Sequence, residues 1–254
     1  MGAVVVVGIG ELGAVFARGF LKSGHPVFPV TRSTRLEEVA RTVPAPDLAL
    51  VAVGETDLDG VLRSMPAGWR GCVGLLQNEL LPASWLAHDI VDPTLAVVWF
   101  EKKPTSLLKE LLPTVLFGPR ADLLAAALGA VGVVTRTVES EAELLFELTR
   151  KNLYILTTNI AGMEQGGTVG ELWERHRPLA LTVAREVLRL ERAQTGAELA
   201  EAPLLAGLEA AIAADPGHAC TGRSAPARLG RALSKAERLG VTVPELRRIA
   251  ELRR

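Results

Sequence analysis

The stretch Val4-Val5-Val6-Val7-Gly8-Ile9-Gly10-Glu11-Leu12-Gly13 decides how the whole chain reads. Four β-branched residues in succession predict a strand buried on both faces, as in the interior of a parallel sheet. The glycines then fall as G-x-G-x-x-G, and Leu12, Ala14, Val15, Phe16 and Ala17 open a helical pattern. In a strand–turn–helix unit Gly8 permits the tight bend, Gly10 lets backbone approach a pyrophosphate, and Gly13 lets the helix pack closely on the strand. The helix N-terminus offers its unpaired N–H groups and dipole to that anion. Glycine-rich turns also serve packing alone, but here strand, motif and helix stand in the order a nucleotide site requires. The expected cofactor wall is Gly8, Ile9, Gly10, Glu11, Leu12 and Gly13.

Working outward, Ser23-Gly24-His25-Pro26 predicts a turn and Val27-Phe28-Pro29-Val30 a second strand. The residue type at the end of that strand discriminates between cofactors. A carboxylate hydrogen-bonds the ribose hydroxyls of NAD, whereas an arginine accommodates the 2′-phosphate of NADP. Here the sequence is Thr31-Arg32-Ser33-Thr34, with no acid and one guanidinium among hydroxyls. That set suits a phosphate, because Arg offers a bidentate fork and the hydroxyls add donors. The expected cofactor is therefore NADP(H), bound in part by Thr31, Arg32 and Ser33. Thr34-x-x-Glu37 also reads as a capping box for the next helix, which does not compete with a role for Arg32.

Composition excludes several classes. The 254 residues suffice for two domains, and 48% are hydrophobic but only 4% aromatic, so the interior must be built from Ala, Val, Leu and Ile. A net charge of −1 argues against nucleic acid or a membrane surface as the main partner. No apolar run reaches the roughly 18 residues of a membrane span. The N-terminus runs directly into a strand without a basic region, so no signal peptide is expected. Cys72 and Cys220 suggest no disulfide framework, and the expected setting is the reducing cytoplasm.

The rest of the first half alternates strands with helices. Further strands are predicted at Asp47–Val53, Cys72–Leu76, Thr94–Phe100, Pro113–Phe117 and Val131–Thr137, with helices near Asp57–Ser64 and from Gly118-Pro119 to about Ala130. Glu101-Lys102-Lys103-Pro104 reads as a solvated turn. This pattern predicts an α/β fold with a doubly wound, Rossmann-type parallel sheet over residues 1–138. Ligands of such sheets bind outside the carboxyl ends of the strands, which points Gln77 and Asn78 toward the cofactor crevice. From Ser140 the chain turns helical, interrupted at Gly166-Gly167, Pro178, Gly196, Pro203, Asp215-Pro216-Gly217 and Pro226. A smaller all-α domain over 139–254 is expected, and a domain junction is a favoured place for a substrate.

With both halves in place, the chain resembles the ketopantoate reductase family nearly end to end. Gly8, Gly10 and Gly13 fit the family's glycine motif, and Arg32 falls where the family carries its 2′-phosphate arginine. Leu76-Gln77-Asn78 is similar to the family's Q-N-G loop, with Glu79 in place of the glycine. Lys151 through Asn159, followed by Gly170-Glu171-Leu172, resembles the opening of the family's helical domain. Gly230 to Gly240-Val241-Thr242-Val243-Pro244 resembles its last helix and exit. The resemblance implies NADPH-dependent reduction of 2-dehydropantoate or a related 2-oxo acid, with Lys151 as catalytic lysine and Asn78 beside nicotinamide and substrate. It also implies a homodimer through the helical domain, although no stretch of sequence marks an interface. Three departures stand out. Ile155 occupies the position of an asparagine four residues after the lysine, Gly54 that of a lysine after the third strand, and the family's Ser and Glu before the last helix have no clear counterpart.

The chemistry implied for Lys151 is sound on its own terms. Ketone reduction needs a hydride at carbon and a proton at oxygen, and an ammonium both polarises the carbonyl and donates. Burial beside other cations lowers a lysine pKa toward neutrality. A lysine on such a helix is equally consistent with a solvated surface position. Asn159, two turns on, offers an amide to the substrate. Arg223 is a second candidate for substrate binding, and Arg228, Arg231 and Lys235 share a helix face that is either solvated or a cradle for an anion. His25, His88, His176 and His218 have no metal spacing, so no metal is expected. Two readings follow: an NADPH-dependent 2-oxo acid reductase with a small-molecule partner, and an NADP-binding sensor or interaction module without reductase activity, which Ile155 and the missing Ser and Glu favour.

Overall fold

The computed structural model describes residues 1–102 and 107–252. The chain forms two compact units, Met1–Leu145 and Phe146–Arg254. In the first, β1 (Val4–Val7) is buried along its whole length, as four consecutive valines require. It lies between β2 (Val27–Val30) and β3 (Leu48–Val51), parallel to both. β4 (Val73–Leu75) and β5 (Thr94–Val97) extend the parallel part. β8 (Thr114–Phe117) and β9 (Thr135–Thr137) complete a seven-stranded sheet of order β2-β1-β3-β4-β5-β8-β9. The helices of this unit are α1 (Glu11–Lys22), α2 (Leu36–Thr42), α3 (Leu58–Arg63), the one-turn α4 (Ala83–Leu86) and α5 (Ala121–Ala130).

The sheet is mostly parallel, with one reversal. β8 pairs antiparallel to β5 and parallel to β9. A parallel return would need a crossover of a dozen or more residues, usually a helix. Between β5 and β8 the described residues contain instead a small ribbon, β6 (Phe100–Glu101) with β7 (Lys109–Glu110). Glu101 is thus paired with Lys109 in that ribbon rather than lying in a solvated turn; Lys103 and Pro104 lie outside the described residues. β9 also starts later than the apolar pattern suggests, because Val131 and Gly132 still close the last turn of α5.

The core of this unit forms where α1 and α5 cover the sheet. Phe16, Phe20, Leu124 and Leu128 are fully buried against Val4, Val6, Leu48 and Leu116. Each such side chain contributes about 1.5–3 kcal/mol by leaving water. With few aromatics available, Phe16 and Phe100 supply one of the ring contacts, 6.2 Å between centroids.

The second unit is helical. The chain enters it within α6 (Glu141–Gln165), followed by α7 (Val169–Arg175), α8 (Arg177–Thr195), α9 (Glu201–Ala214), α10 (Ala225–Leu239) and α11 (Pro244–Glu251). α8 is the spine, packed against α7, α10 and α11. Pro178, Pro203, Pro226 and Pro244 all fall in first turns, where a missing N–H costs no hydrogen bond, so these prolines begin helices rather than break them. Among the described residues, no helix is long and apolar enough to cross a membrane.

Candidate functional site

The C-terminal ends of β1, β2 and β3 are level, since Val7 pairs with both Val30 and Val51. Beyond them lies a cavity of about 850 Å³. The glycine turn forms its floor, and each glycine behaves as its position in the motif demands. Gly8 has φ +95°, and a Cβ there would lie 2.8 Å from the carbonyl oxygen of Ala52. A Cβ on Gly13 would collide with the carbonyl oxygen of Gly8, which is how closely α1 sits on the turn. Around Gly10 nothing lies within 4 Å, and this residue is the N-cap of α1 with no side chain satisfying the helix N-terminus. The turn therefore presents unobstructed backbone at an electropositive helix end, the condition for seating a pyrophosphate. Ile9, 40% exposed, adds apolar surface to the wall.

Of the expected cofactor residues, Gly8, Ile9, Gly10, Thr31, Arg32 and Ser33 line this cavity, whereas Glu11, Leu12, Gly13, Gln77 and Asn78 are not in its lining. The segment after β2 is a closed turn. The Thr31 hydroxyl lies 3.0 Å from those of Ser33 and Thr34, and the Thr31 N–H donates to Thr34 Oγ1 at 3.2 Å. This corrects the capping-box reading: α2 begins one residue later, with Arg35 as N-cap and no side-chain cap, because Thr34 is already engaged with Thr31. Arg32 projects with its side chain 98% exposed, 3.7 Å from Asp57 Oδ2. Asp57 lines the same cavity, as do Val53 and Gly54 after β3, and Leu36 and Val61 on α2 and α3. Sequence reading missed this second wall. The rule that ligands sit at strand ends would have found it, had the adjacency of β3 to β1 been known.

At the end of β4, Gln77 is buried and acts on backbone. Its Nε2 donates to the carbonyls of Val51 at 2.7 Å and Val53 at 3.2 Å, and its Oε1 accepts from the Leu76 N–H. It ties the ends of β3 and β4 together. Asn78 is half-buried and donates from Nδ2 to Glu55 Oε1 at 3.0 Å. Glu79 is buried at 8% exposure with φ +63°. A non-glycine residue there is strained, by about 1–3 kcal/mol. The backbone of a glycine is kept while the side chain is a carboxylate.

In the helical unit, Lys151, Ile155 and Asn159 recur one turn apart along α6, all half-buried. Lys151 Nζ lies 5.9 Å from the Tyr154 ring centroid. Burial, then the charges of Arg228 and Arg150, push its pKa down from 10.5 to about 7. Arg150 is itself bridged to buried Glu147 at 2.8 Å. Asn159 Oδ1 accepts from Arg228 Nη1 at 2.6 Å. The fold thus gathers Lys151, Asn159 and Arg228 around one stretch of α6. Arg223 is instead exposed, on the segment preceding α10.

No family model matches this sequence, and no curated protein matches it either. Solved structures do match in three dimensions. One is a ketopantoate reductase of the PanE/ApbA family from Ralstonia eutropha, with a TM-score of 0.70, 18% identity and coverage of 98% of this chain and 96% of that one. Another is 2-dehydropantoate 2-reductase from Methylococcus capsulatus, at a TM-score of 0.66 and 18% identity over 98% and 95% of the two chains. A third is D-mandelate dehydrogenase, solved with NADH and anilino(oxo)acetate, at a TM-score of 0.69 and 14% identity over 98% and 96%. The chain has the fold of these enzymes: a Rossmann-type sheet unit followed by an all-helical one.

Proposed function

We propose that this protein is a nicotinamide-dinucleotide-dependent reductase of a small 2-oxo acid or similar ketone, belonging with the ketopantoate reductases, with NADPH as the preferred donor. The observation that carries this reading is Lys151, half-buried on α6, whose pKa is drawn to about 7 by burial and by Arg228, a cation that is itself held by Asn159 two turns along the same helix. A general acid works best with a pKa near the operating pH. The shared fold with ketopantoate reductases and with D-mandelate dehydrogenase supports the same chemistry.

The first unit fits a dinucleotide. The glycine turn would hold the pyrophosphate, Leu36 and Val61 give the cavity apolar surface for a flat base, and Arg32 with the Thr31 and Ser33 hydroxyls would take a 2′-phosphate. When bound, the nicotinamide supplies the hydride. Lys151 polarises the carbonyl oxygen and gives it a proton, Asn78 positions the reacting groups with its amide oriented by Glu55, and Asn159 offers its amide to the substrate. Gln77 acts at one remove, keeping the ends of β3 and β4 in register. A cytoplasmic homodimer belongs to the same proposal.

The competing reading, a dinucleotide-binding protein without reductase activity, is favoured by Ile155. An apolar group stands where a polar partner for the substrate is expected. The test is a turnover assay over a panel of 2-oxo acids with NADPH and NADH, after titration has established binding of each. Turnover of at least one acid, with NADPH the tighter ligand, is expected. Tight NADPH binding with no turnover across the panel favours the sensor reading instead.

A further inference from the structure

A 2-oxo acid carries a carboxylate beside the carbonyl that Lys151 would protonate, and the roles assigned so far leave that carboxylate unrecognised. Arg228, on α10, is the group placed to bind it. Its Nη1 donates to Asn159 Oδ1 at 2.6 Å, a bond that fixes the guanidinium plane and, at the same time, turns the Asn159 amide. The guanidinium is also close enough to Lys151 to be the largest charge acting on it. A group bonded at Asn159 and felt at Lys151 lies along the stretch of α6 whose middle residue is Ile155. The other charge acting on Lys151 is Arg150, itself bridged to Glu147 at 2.8 Å.

Resting on the reductase reading, the geometry points to Arg228 as the residue that binds the substrate carboxylate, with half-buried Ile155 selecting a 2-oxo acid whose side chain is apolar. The planar fork of Arg matches a carboxylate bidentately, which a lysine cannot do. An apolar wall also penalises a substrate hydroxyl that would be buried against it without a partner. Charge points the same way. After burial, Arg228 is the larger of the two charges that lower the Lys151 pKa to about 7, where part of it has lost its proton at neutral pH. A carboxylate seated on Arg228 cancels that effect and returns the proton to Lys151 when substrate is present.

The test uses two measurements on the full-length protein with NADPH. In the first, wild type, Arg228→Met and Arg228→Lys are compared on an aliphatic 2-oxo acid and on its methyl ester. Arg228→Met should raise KM for the acid roughly 10- to 100-fold, the size of a lost hydrogen bond between charged groups. KM for the ester should change less than twofold, and Arg228→Lys should recover part of the loss. In the second, oxamate, an unreactive mimic, is titrated calorimetrically into the NADPH complex, where Arg228→Met should weaken binding at least tenfold. Turnover of the acid with KM unmoved in Arg228→Met, or equal losses for acid and ester, overturns the assignment while leaving the reductase reading in place. Oxamate binding that depends on Arg228 in a protein that reduces nothing supports the anion site and overturns the reductase reading. Absence of both turnover and oxamate binding overturns both.

Discussion

Arg32 and Asp57 stand 3.7 Å apart in the lining of the cavity beyond the strand ends, and under the proposed function they would pull cofactor choice in opposite directions. The guanidinium favours a 2′-phosphate, while the carboxylate repels one and would accept from ribose hydroxyls. Both side chains are largely exposed, so their mutual attraction is weak and a phosphate can displace it. Arg32→Ala should therefore cost roughly 1.5–3 kcal/mol of NADPH affinity and leave NADH nearly unchanged. Asp57→Asn should shift preference further toward NADPH. Fluorescence titration of each variant with both cofactors checks this, and equal losses for the two cofactors in Arg32→Ala would mean that the arginine does not read the phosphate. Arg32 was legible in the sequence because it directly follows a strand whose end is diagnostic. Asp57 was not, since only the pairing of β1 with both β2 and β3 brings the residues after those two strands together. Glu79 shows the same limit. Its glycine-like backbone at φ +63° is imposed by the surroundings and not by its own preference.

At the scale of elements, local signals were reliable where they were chemically specific. Valine runs gave buried strands, and the proline of Val243-Pro244 falls at the start of α11. What the sequence could not show was the partner of a helix end. Glu186, in the middle of α8 and 1% exposed, accepts from the backbone N–H groups of Glu245 and Leu246 at 3.0 and 2.9 Å. A carboxylate here satisfies two orphan donors of α11 and complements its dipole, from about sixty residues away. Glu186→Ala should destabilise the helical unit by about 1.5–3 kcal/mol, read as a lower midpoint in urea. A change under about 0.5 kcal/mol would mean that water replaces the cap. The reversal of β8 was hidden for a related reason. A strand's pattern reports its burial but not its direction, and direction depends on the kind of connection that precedes it.

For the molecule as a whole, the order of its parts was legible, a sheet unit opening on a glycine turn and then a helical unit that begins with the helix bearing Lys151. The boundary was less so, because α6 runs without interruption through the division at Leu145 and Phe146. The substrate side was the least legible. Arg228 and Asn159 are 69 residues apart and meet only through the packing of the helical unit, while Arg223, the candidate read from the sequence, stays exposed. The role proposed for Lys151, proton donor of a reductase, is tested by Lys151→Met, which keeps much of the stem and removes the charge. The Lys151 pKa near 7 gives this role a signature beyond lost activity. The acid must hold its proton, so kcat/KM should fall as pH rises through about 7. The fall in kcat should come at higher pH, because a bound carboxylate favours the ammonium. Stability runs the other way. Between about 7 and 10.5 the unfolded chain binds more protons at this residue than the folded one, so wild type should gain stability with pH, a slope the variant should lack. The most direct measurement is single-turnover reduction of the best 2-oxo acid by the NADPH complex of wild type and Lys151→Met, alongside the Kd for NADPH. A loss of about 100-fold or more in rate is expected, with Kd within about twofold of wild type. Undiminished turnover in Lys151→Met, with the wild-type pH profile intact, would contradict the proposed role.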